Sequence, residues 1–288
     1  MVRRLRLDAE LVRRQLARSR EQAVELIASG RVQVRGATAT KPATGVDTDT
    51  PIRIQSAGLD PGYASRGAYK LIGALDTFTG IDVSGRRCLD AGASTGGFTD
   101  VLLRRGAREV IAVDVGYGQL VWALQSDDRV RVQDRTNVRT LIPEQIGGAA
   151  DITVADLSFI SLALVLPALA SCTIDDLVPM VKPQFEVGRD RLGKGGVVRD
   201  PLLRAETVLA VATAAERLGW GTAGVAKSPL PGPSGNIEFF LWLRKDAGPP
   251  DSDLIQSVAM EPDANAEDKT PIKATVPIKA ADTLKEDT

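Results

Sequence analysis

The sequence predicts an α/β protein, a doubly wound sheet preceded by a small basic α+β head and followed by a polar tail. Three observations predict it. A glycine-rich turn at 88–99, Cys-Leu-Asp-Ala-Gly-Ala-Ser-Thr-Gly-Gly-Phe-Thr, joins an apolar strand to a helix whose Phe98, Val101 and Leu102 recur at buried-face spacing. Strand-like and helical runs then alternate to residue 243, as such a sheet requires. Charge is also uneven. Residues 1–46 hold ten basic side chains against four acidic ones, whereas the 288-residue chain has a net charge of -1.

Composition narrows the chemistry. There is no histidine. That excludes His-dependent nucleophile triads and the commoner zinc sites, so no metal is expected and acid–base work falls to Lys, Asp, Glu or Tyr. Cys88 and Cys172 lie in apolar surroundings and are expected to stay reduced. No apolar run approaches membrane length and no signal pattern opens the chain, so a cytoplasmic setting without membrane contact is expected.

In the head, Leu11, Val12 and Leu16 form one short apolar face. Ser19 is placed to cap a second helix whose Ala23, Leu26 and Ile27 turn inward and which Gly30 closes. Val32 and Val34 then alternate as a strand. The arginines fall on the remaining outer face, which suits phosphates with little sequence choice. The pattern Ser-Arg-x-x-Ala-x-x-Leu-Ile-x-x-Gly-x-Val-x-Val-x-Gly resembles the S4-type RNA-binding domain. Domain bounds of 1–59 for the head, 60–64 for a linker and 65–246 for the sheet follow, with a helix opening at Ser65-Arg66-Gly67 and burying Leu71, Leu75 and Phe78.

Strands are expected at 87–91, 109–113, 130–133, 151–156, 176–181, 222–227 and 237–243, and helices at 98–105, 119–125, 160–170 and 201–218. The last strand follows a Pro- and Gly-rich turn and should pair antiparallel. From residue 247 apolar residues thin out, so 247–288 is expected to be a disordered acidic tail without a catalytic part.

The glycine turn would bring backbone N–H groups to a ligand at a helix N-terminus. The spacing of Gly92, Gly96 and Gly97 is not that of dinucleotide enzymes, and Asp90 at the mouth would repel a pyrophosphate but welcome an amino group. Asp114 ends the next strand, where ribose hydroxyls bind in such folds. Together they suit S-adenosyl-L-methionine, with Ser94, Thr95 and Phe98 completing the turn and Asp134 near the adenine. Four more charges stand where charge is expensive. Asp156 and Lys182 end strands at the carboxyl edge, Glu238 lies in an apolar strand, and Lys70 follows the opening glycine of its helix by one turn.

With these motifs the chain resembles the TlyA family of ribosomal RNA 2'-O-methyltransferases, within the FtsJ-like group. The resemblance runs from about Arg3 to Arg244, through Ser65-Arg66-Gly67, Asp90–Thr99, Asp114-Val-Gly-Tyr-Gly-Gln119, Asp156-Leu-Ser-Phe-Ile-Ser161, Val181-Lys-Pro-Gln-Phe-Glu186 and Pro231–Glu238. It implies a class I Rossmann-like methyltransferase domain behind an S4-type domain, and a cytidine in small- or large-subunit rRNA as target. The family's Lys-Asp-Lys-Glu tetrad maps onto Lys70, Asp156, Lys182 and Glu238. Lys182 is expected to be the general base, its ammonium destabilised by burial and by Lys70, with the two acids orienting the lysines. Arg3, Arg4, Arg6, Arg18, Arg20 and Arg66 are expected to contact rRNA in ribosomal subunits; no protein partner is expected.

Overall fold

Leu7 and Leu11, one helical turn apart, seed the first core. They belong to helix α1 (Leu7–Arg13), which follows the short strand β1 (Leu5–Arg6). Helix α2 (Arg20–Ala28) adds Ala23 and Ile27, and Gly30 ends it in a left-handed conformation. Strands β2 (Val32–Val34), β3 (Ala37–Thr38), β4 (Gly45–Val46) and β5 (Ile52–Ile54) complete the head. They form a three-stranded sheet in the order β3-β2-β5 and a separate β1-β4 pair. The structure, a computed structural model, describes residues 5–14, 16, 17, 20–28, 30–47, 49–54, 62–193 and 195–262. Ser19 and the linker residues 60 and 61 lie outside these. The chain divides into two units after Tyr63, between the expected bounds of 59 and 65.

The second unit opens with helix α3 (Gly67–Thr77), which buries Ala68, Leu71, Ala74 and Leu75. There follow β6 (Arg87–Ala91), α4 (Gly97–Arg104), β7 (Glu109–Val113), α5 (Trp122–Gln125), β8 (Val130–Gln133), β9 (Ala150–Ala155), α6 (Leu166–Ser171) and β10 (Thr173–Val181). After β10 come α7 (Pro183–Glu186), α8 (Pro201–Glu216), β11 (Gly221–Lys227), β12 (Phe239–Arg244) and α9 (Ser252–Met260). The seven strands stand in the order β11-β12-β10-β9-β6-β7-β8. Strands β10, β9, β6, β7 and β8 are parallel, and β12 runs antiparallel to both β10 and β11. The strand order reverses beside β6, and a crevice opens at the carboxyl ends of β6 and β9. On one face of the sheet α6, α8 and α9 close a core around Leu89, Ile111, Leu177 and Leu241. Elsewhere Phe98 of α4 meets Phe240 of β12, ring centroids 6.0 Å apart.

Several expected boundaries move: the strand expected at 176–181 starts at Thr173 and the helix expected at 201–218 ends at Glu216, and local chemistry accounts for three others. The helix expected at 160–170 is a 3-10 turn over Leu162–Leu164 followed by α6. Pro167 has no N–H and is tolerated only in a first turn, so the α-helix starts at Leu166. The helix expected at 119–125 starts at Trp122, because Val121 is extended. The last strand starts at Phe239, two residues late, because the turn before it is still closing where Gly232 N–H donates to the Asn236 carbonyl at 2.8 Å.

The tail needs a larger correction. Residues 252–260 form α9, with the Asp251 carboxylate accepting from the N–H groups of Asp253 and Leu254 at 2.9 and 3.0 Å. Ile255, Val258 and Ala259 fall at i, i+3 and i+4 and enter the main core. Order therefore continues past 246; residues 263–288 lie outside the described part. Ile255 is 2 % exposed. Ile255→Ala should cost about 2–4 kcal/mol in urea denaturation, whereas a dispensable tail would show no change.

Candidate active site

Strand register builds the site. Ala91 pairs with Val113 on one side and with Ala155 on the other. The next residues, Gly92, Asp114 and Asp156, therefore leave the sheet at one level. The turn at Gly92 needs glycine: φ is +88°, and a Cβ there would lie 2.5 Å from the Asp156 carbonyl oxygen. Gly96 has φ +99°, and a Cβ would strike Leu124. At Gly97 a Cβ would strike Ser65 Oγ and come within 2.9 Å of the Ala68 nitrogen, so the start of α3 lies directly on the turn. Together these segments enclose a cleft of about 110 Å³ lined by Ser65, Gly67, Gly92, Ser94, Thr95 and Asp156.

Asp90 is fully buried. Thr99 Oγ1 donates to its Oδ2 at 2.6 Å, while Oδ1 has no hydrogen-bond partner. Burial pushes its carboxyl up to about 7, with the nearby Asp156 and Asp114 charges adding to the rise against the Thr99 hydrogen bond. A buried acceptor without a donor is costly unless a ligand supplies one. A cationic amine fits that need. At the mouth of the turn, Asp114 accepts from Ser94 N–H at 2.8 Å and from Gly116 N–H at 2.7 Å. Asp134 accepts from Gly118 N–H at 2.8 Å.

The four charged residues nominated from sequence come together as two ion pairs. Lys70 Nζ lies 2.5 Å from Glu238 Oε2, and Lys182 Nζ lies 2.6 Å from Asp156 Oδ1. Glu238 is 1 % exposed and Lys182 7 %. The β10–β12 register pairs Val181 with Phe239, which sets Lys182 and Glu238, the adjoining residues, at neighbouring positions. Lys182 faces Asp156 without a well-angled hydrogen bond, since Asp156 Oδ1 is otherwise unpartnered; its ammonium donates instead to Ser158 Oγ at 2.9 Å. Each lysine thus has its own carboxylate.

Sequence reading passed over Ser65, Ser158, Glu186 and Asn236, although each lies within a motif quoted above. Glu186 accepts from Ser161 Oγ at 2.7 Å and from Leu162 N–H at 2.8 Å, fixing the loop that carries Asp156 and Ser158. Burial raises its carboxyl pKa. Asn236 is 3 % exposed and bonds Val198 N–H and the Gly196 carbonyl, each at 2.9 Å, anchoring the approach to Glu238. These ties join segments far apart in the chain, and spacing alone carries no trace of them.

A model of the FtsJ-like methyltransferase family matches residues 63–245. The chain belongs to that family. An S4-domain model matches residues 5–52 of this methyltransferase. The 16S/23S rRNA (cytidine-2'-O)-methyltransferase TlyA of Mycobacterium tuberculosis is 62% identical over 246 residues, 85% of this chain and 91% of that protein. An rRNA methyltransferase candidate of Bacillus subtilis is 42% identical over 241 residues, 83% of this chain and 85% of that one. Among solved structures, a hemolysin candidate from Streptococcus thermophilus has a TM-score of 0.71 at 38% identity, over 90% of this chain and 95% of that chain.

Of the arginines nominated for RNA, Arg3, Arg4 and Arg18 lie outside the described residues. Arg6 and Arg20 both bind the buried Asp8 carboxylate, at 2.9 and 3.0 Å, and Arg66 is exposed at the head of α3. Two tight arginine contacts hold the Asp8 carboxyl well below the usual range. Arg13 and Arg14 bind Glu10 in the same way, lowering it to about 2 against the cost of burial. No helix among the described residues is long and apolar enough to cross a membrane. None of their His, Cys, Asp or Glu clusters is arranged to hold a metal ion.

Asp90 yields a pH test. Its folded pKa of about 7 exceeds the unfolded value near 4, so the folded state binds the extra proton. In ligand-free protein this group's contribution falls as pH rises from about 4 to about 7, by on the order of 4 kcal/mol, and stays flat above. Wild type should therefore lose stability relative to Asp90→Asn across that window. Parallel stability–pH curves would refute the assignment.

Proposed function

We propose that this chain transfers a methyl group from S-adenosyl-L-methionine to the 2'-hydroxyl of a cytidine in ribosomal RNA, with Lys182 as general base. The observation that carries the reading is a buried lysine, Lys182, held beside Asp156 on the wall of the glycine-turn cleft. The relatives' names supply the base and the RNA class; the site supplies the chemistry.

Asp90 Oδ1 would take the cofactor's amino group, the Gly92–Gly97 turn would cradle its chain, and Asp114 would meet its ribose. Bound there, the cofactor supplies an electrophilic sulfonium methyl group. A ribose hydroxyl is a weak nucleophile, so its proton must leave as the oxygen reacts. Lys182 Nζ, once deprotonated, accepts that proton. Asp156 and Ser158 fix the amine from two sides and stabilise the ammonium that results. Lys70, held by Glu238, would steady the hydroxyl and its phosphate. Much of the acceleration would come from alignment rather than from acid–base chemistry.

The approach to the pair suits a splayed nucleotide. Phe159 is 90 % exposed at φ +64°, a conformation costly for an aromatic residue, and its ring lies 5.2 Å from that of Phe185. It follows Ser158 directly, so its open face offers a stacking platform near Lys182.

Mass spectrometry of rRNA nucleosides after incubation with cofactor tests the reading. Wild type should yield 2'-O-methylcytidine. Lys182→Ala should reduce turnover about 10³-fold while cofactor binding, followed by calorimetry, persists. Lys182→Arg should be equally inactive, because a guanidinium does not give up its proton. Wild-type turnover by either variant excludes Lys182 as the base.

A further inference from the structure

We propose that the outer face of the head's three-stranded sheet, at Gln33, Arg35 and Arg53, is a binding surface for the RNA sugar–phosphate backbone. The inference rests on the reading of the chain as an rRNA methyltransferase.

Strands β2 and β5 pair Gln33 with Arg53. Val32, Val34, Ile52 and Ile54, on either side of them, pack on the head's core. By strand alternation Gln33 and Arg53 project from the opposite face, away from α1 and α2. With Arg35, Gly36 and Pro51 they line a shallow cavity of about 400 Å³. Arg53 is exposed and makes no ion pair among the described residues. Arg35 is 68% exposed along its side chain, and its contacts with Asp47 and Thr50 are both long, at 3.5 Å.

Arg35 also occupies a conformation that few arginines adopt. It has φ +53° and Gly36 has φ +84°, making a two-residue hairpin loop between Val34 and Ala37. Asn or Asp is the favoured side chain at the first of these positions, so an arginine there is strained. Strain of this kind collects at functional sites. The turn thus brings Arg35 to the wall of the cavity that Arg53 also lines. By contrast Arg6, Arg13, Arg14 and Arg20 are already engaged by Asp8 and Glu10. Two weakly held cations with an amide between them fit consecutive phosphates and the hydroxyls of the sugar.

Binding of the full chain to purified ribosomal subunits and to protein-free rRNA, across roughly 50 to 200 mM salt, provides the test. Arg35→Gln/Arg53→Gln should weaken both by on the order of ten-fold or more and make the slope of log K against log salt shallower by about 1.5. Turnover at saturating subunits and cofactor affinity should not change, and Arg35→Lys/Arg53→Lys should restore the slope. If wild type binds and methylates while the Gln variant matches it in affinity and slope, the sheet face is overturned and the proposed function stands. Loss on subunits but not on protein-free rRNA would assign the face to an acidic ribosomal protein and overturn the RNA assignment. Absence of wild-type binding and transfer would overturn both proposals.

Discussion

The site depends on one register. Ala91 lies between Val113 and Ala155 in a parallel sheet, and from that level the chain turns out at Gly92, Asp114 and Asp156. Parallel hydrogen bonding leaves little freedom here, because both sheet faces are covered and a one-residue slip would exchange the buried and outward side chains. Such a slip in β6 would exchange the directions of Asp90 and Leu89. The backbone positions of Asp90, Asp114 and Asp156 are therefore set by apolar packing of strands, and polar contacts then orient the side chains. The glycines then allow the backbone to turn in a space that no Cβ would fit.

Charge burial explains the rest of the arrangement. A lone buried ion is expensive, and an ion pair roughly offsets that cost when its geometry is good. Lys70 with Glu238 meets this condition, and Lys182, beside Asp156, donates its hydrogen bond to Ser158. Asp90 does not meet the condition, having one hydroxyl donor and one free oxygen. In a sheet that otherwise pairs its buried charges at this edge, that exception marks where a cationic ligand would complete the electrostatics. The head uses the same rule differently. There Asp8 and Glu10 are buried to gather four arginines, which fixes α1 and diminishes the free positive charge of the helical side.

Much of this was legible in the sequence wherever periodicity or a steric requirement wrote it. All seven strands, the antiparallel last pairing and the glycine turn follow from alternation and from residues that must be glycine or proline. Asp156 and Lys182 were legible because charge stood at the ends of apolar runs and Glu238 because it stood inside one, whereas Lys70 had only its place one turn after Gly67. Which lysine met which acid was not, since Lys70 and Glu238 lie 168 positions apart and only the folded sheet brings them together. Helix α9 was written, in Asp251 followed by Ile255, Val258 and Ala259, but polar composition around it masked a short apolar stripe. The clamps at Glu186 and Asn236 left no pattern to read, because a single buried polar side chain has no period.

Asp114 has a structural role, to which the proposed function would add contact with the ribose. Both of its oxygens already accept backbone N–H groups, from Ser94 in the glycine turn and Gly116 in the next loop. A carboxylate has about four lone-pair directions, so each oxygen retains capacity for a hydroxyl donor. The two N–H bonds take up the side chain's rotational freedom before any ligand arrives, and the one from Ser94 supports that residue at φ +48°, which an unsupported serine would avoid. A ribose meeting Asp114 would therefore encounter an acceptor whose orientation had been set during folding. The ordering entropy otherwise lost on binding would be correspondingly smaller. Under that reading the conformation of the glycine turn and the direction of the ribose acceptor are one property of the fold, and a change to either residue would disturb both.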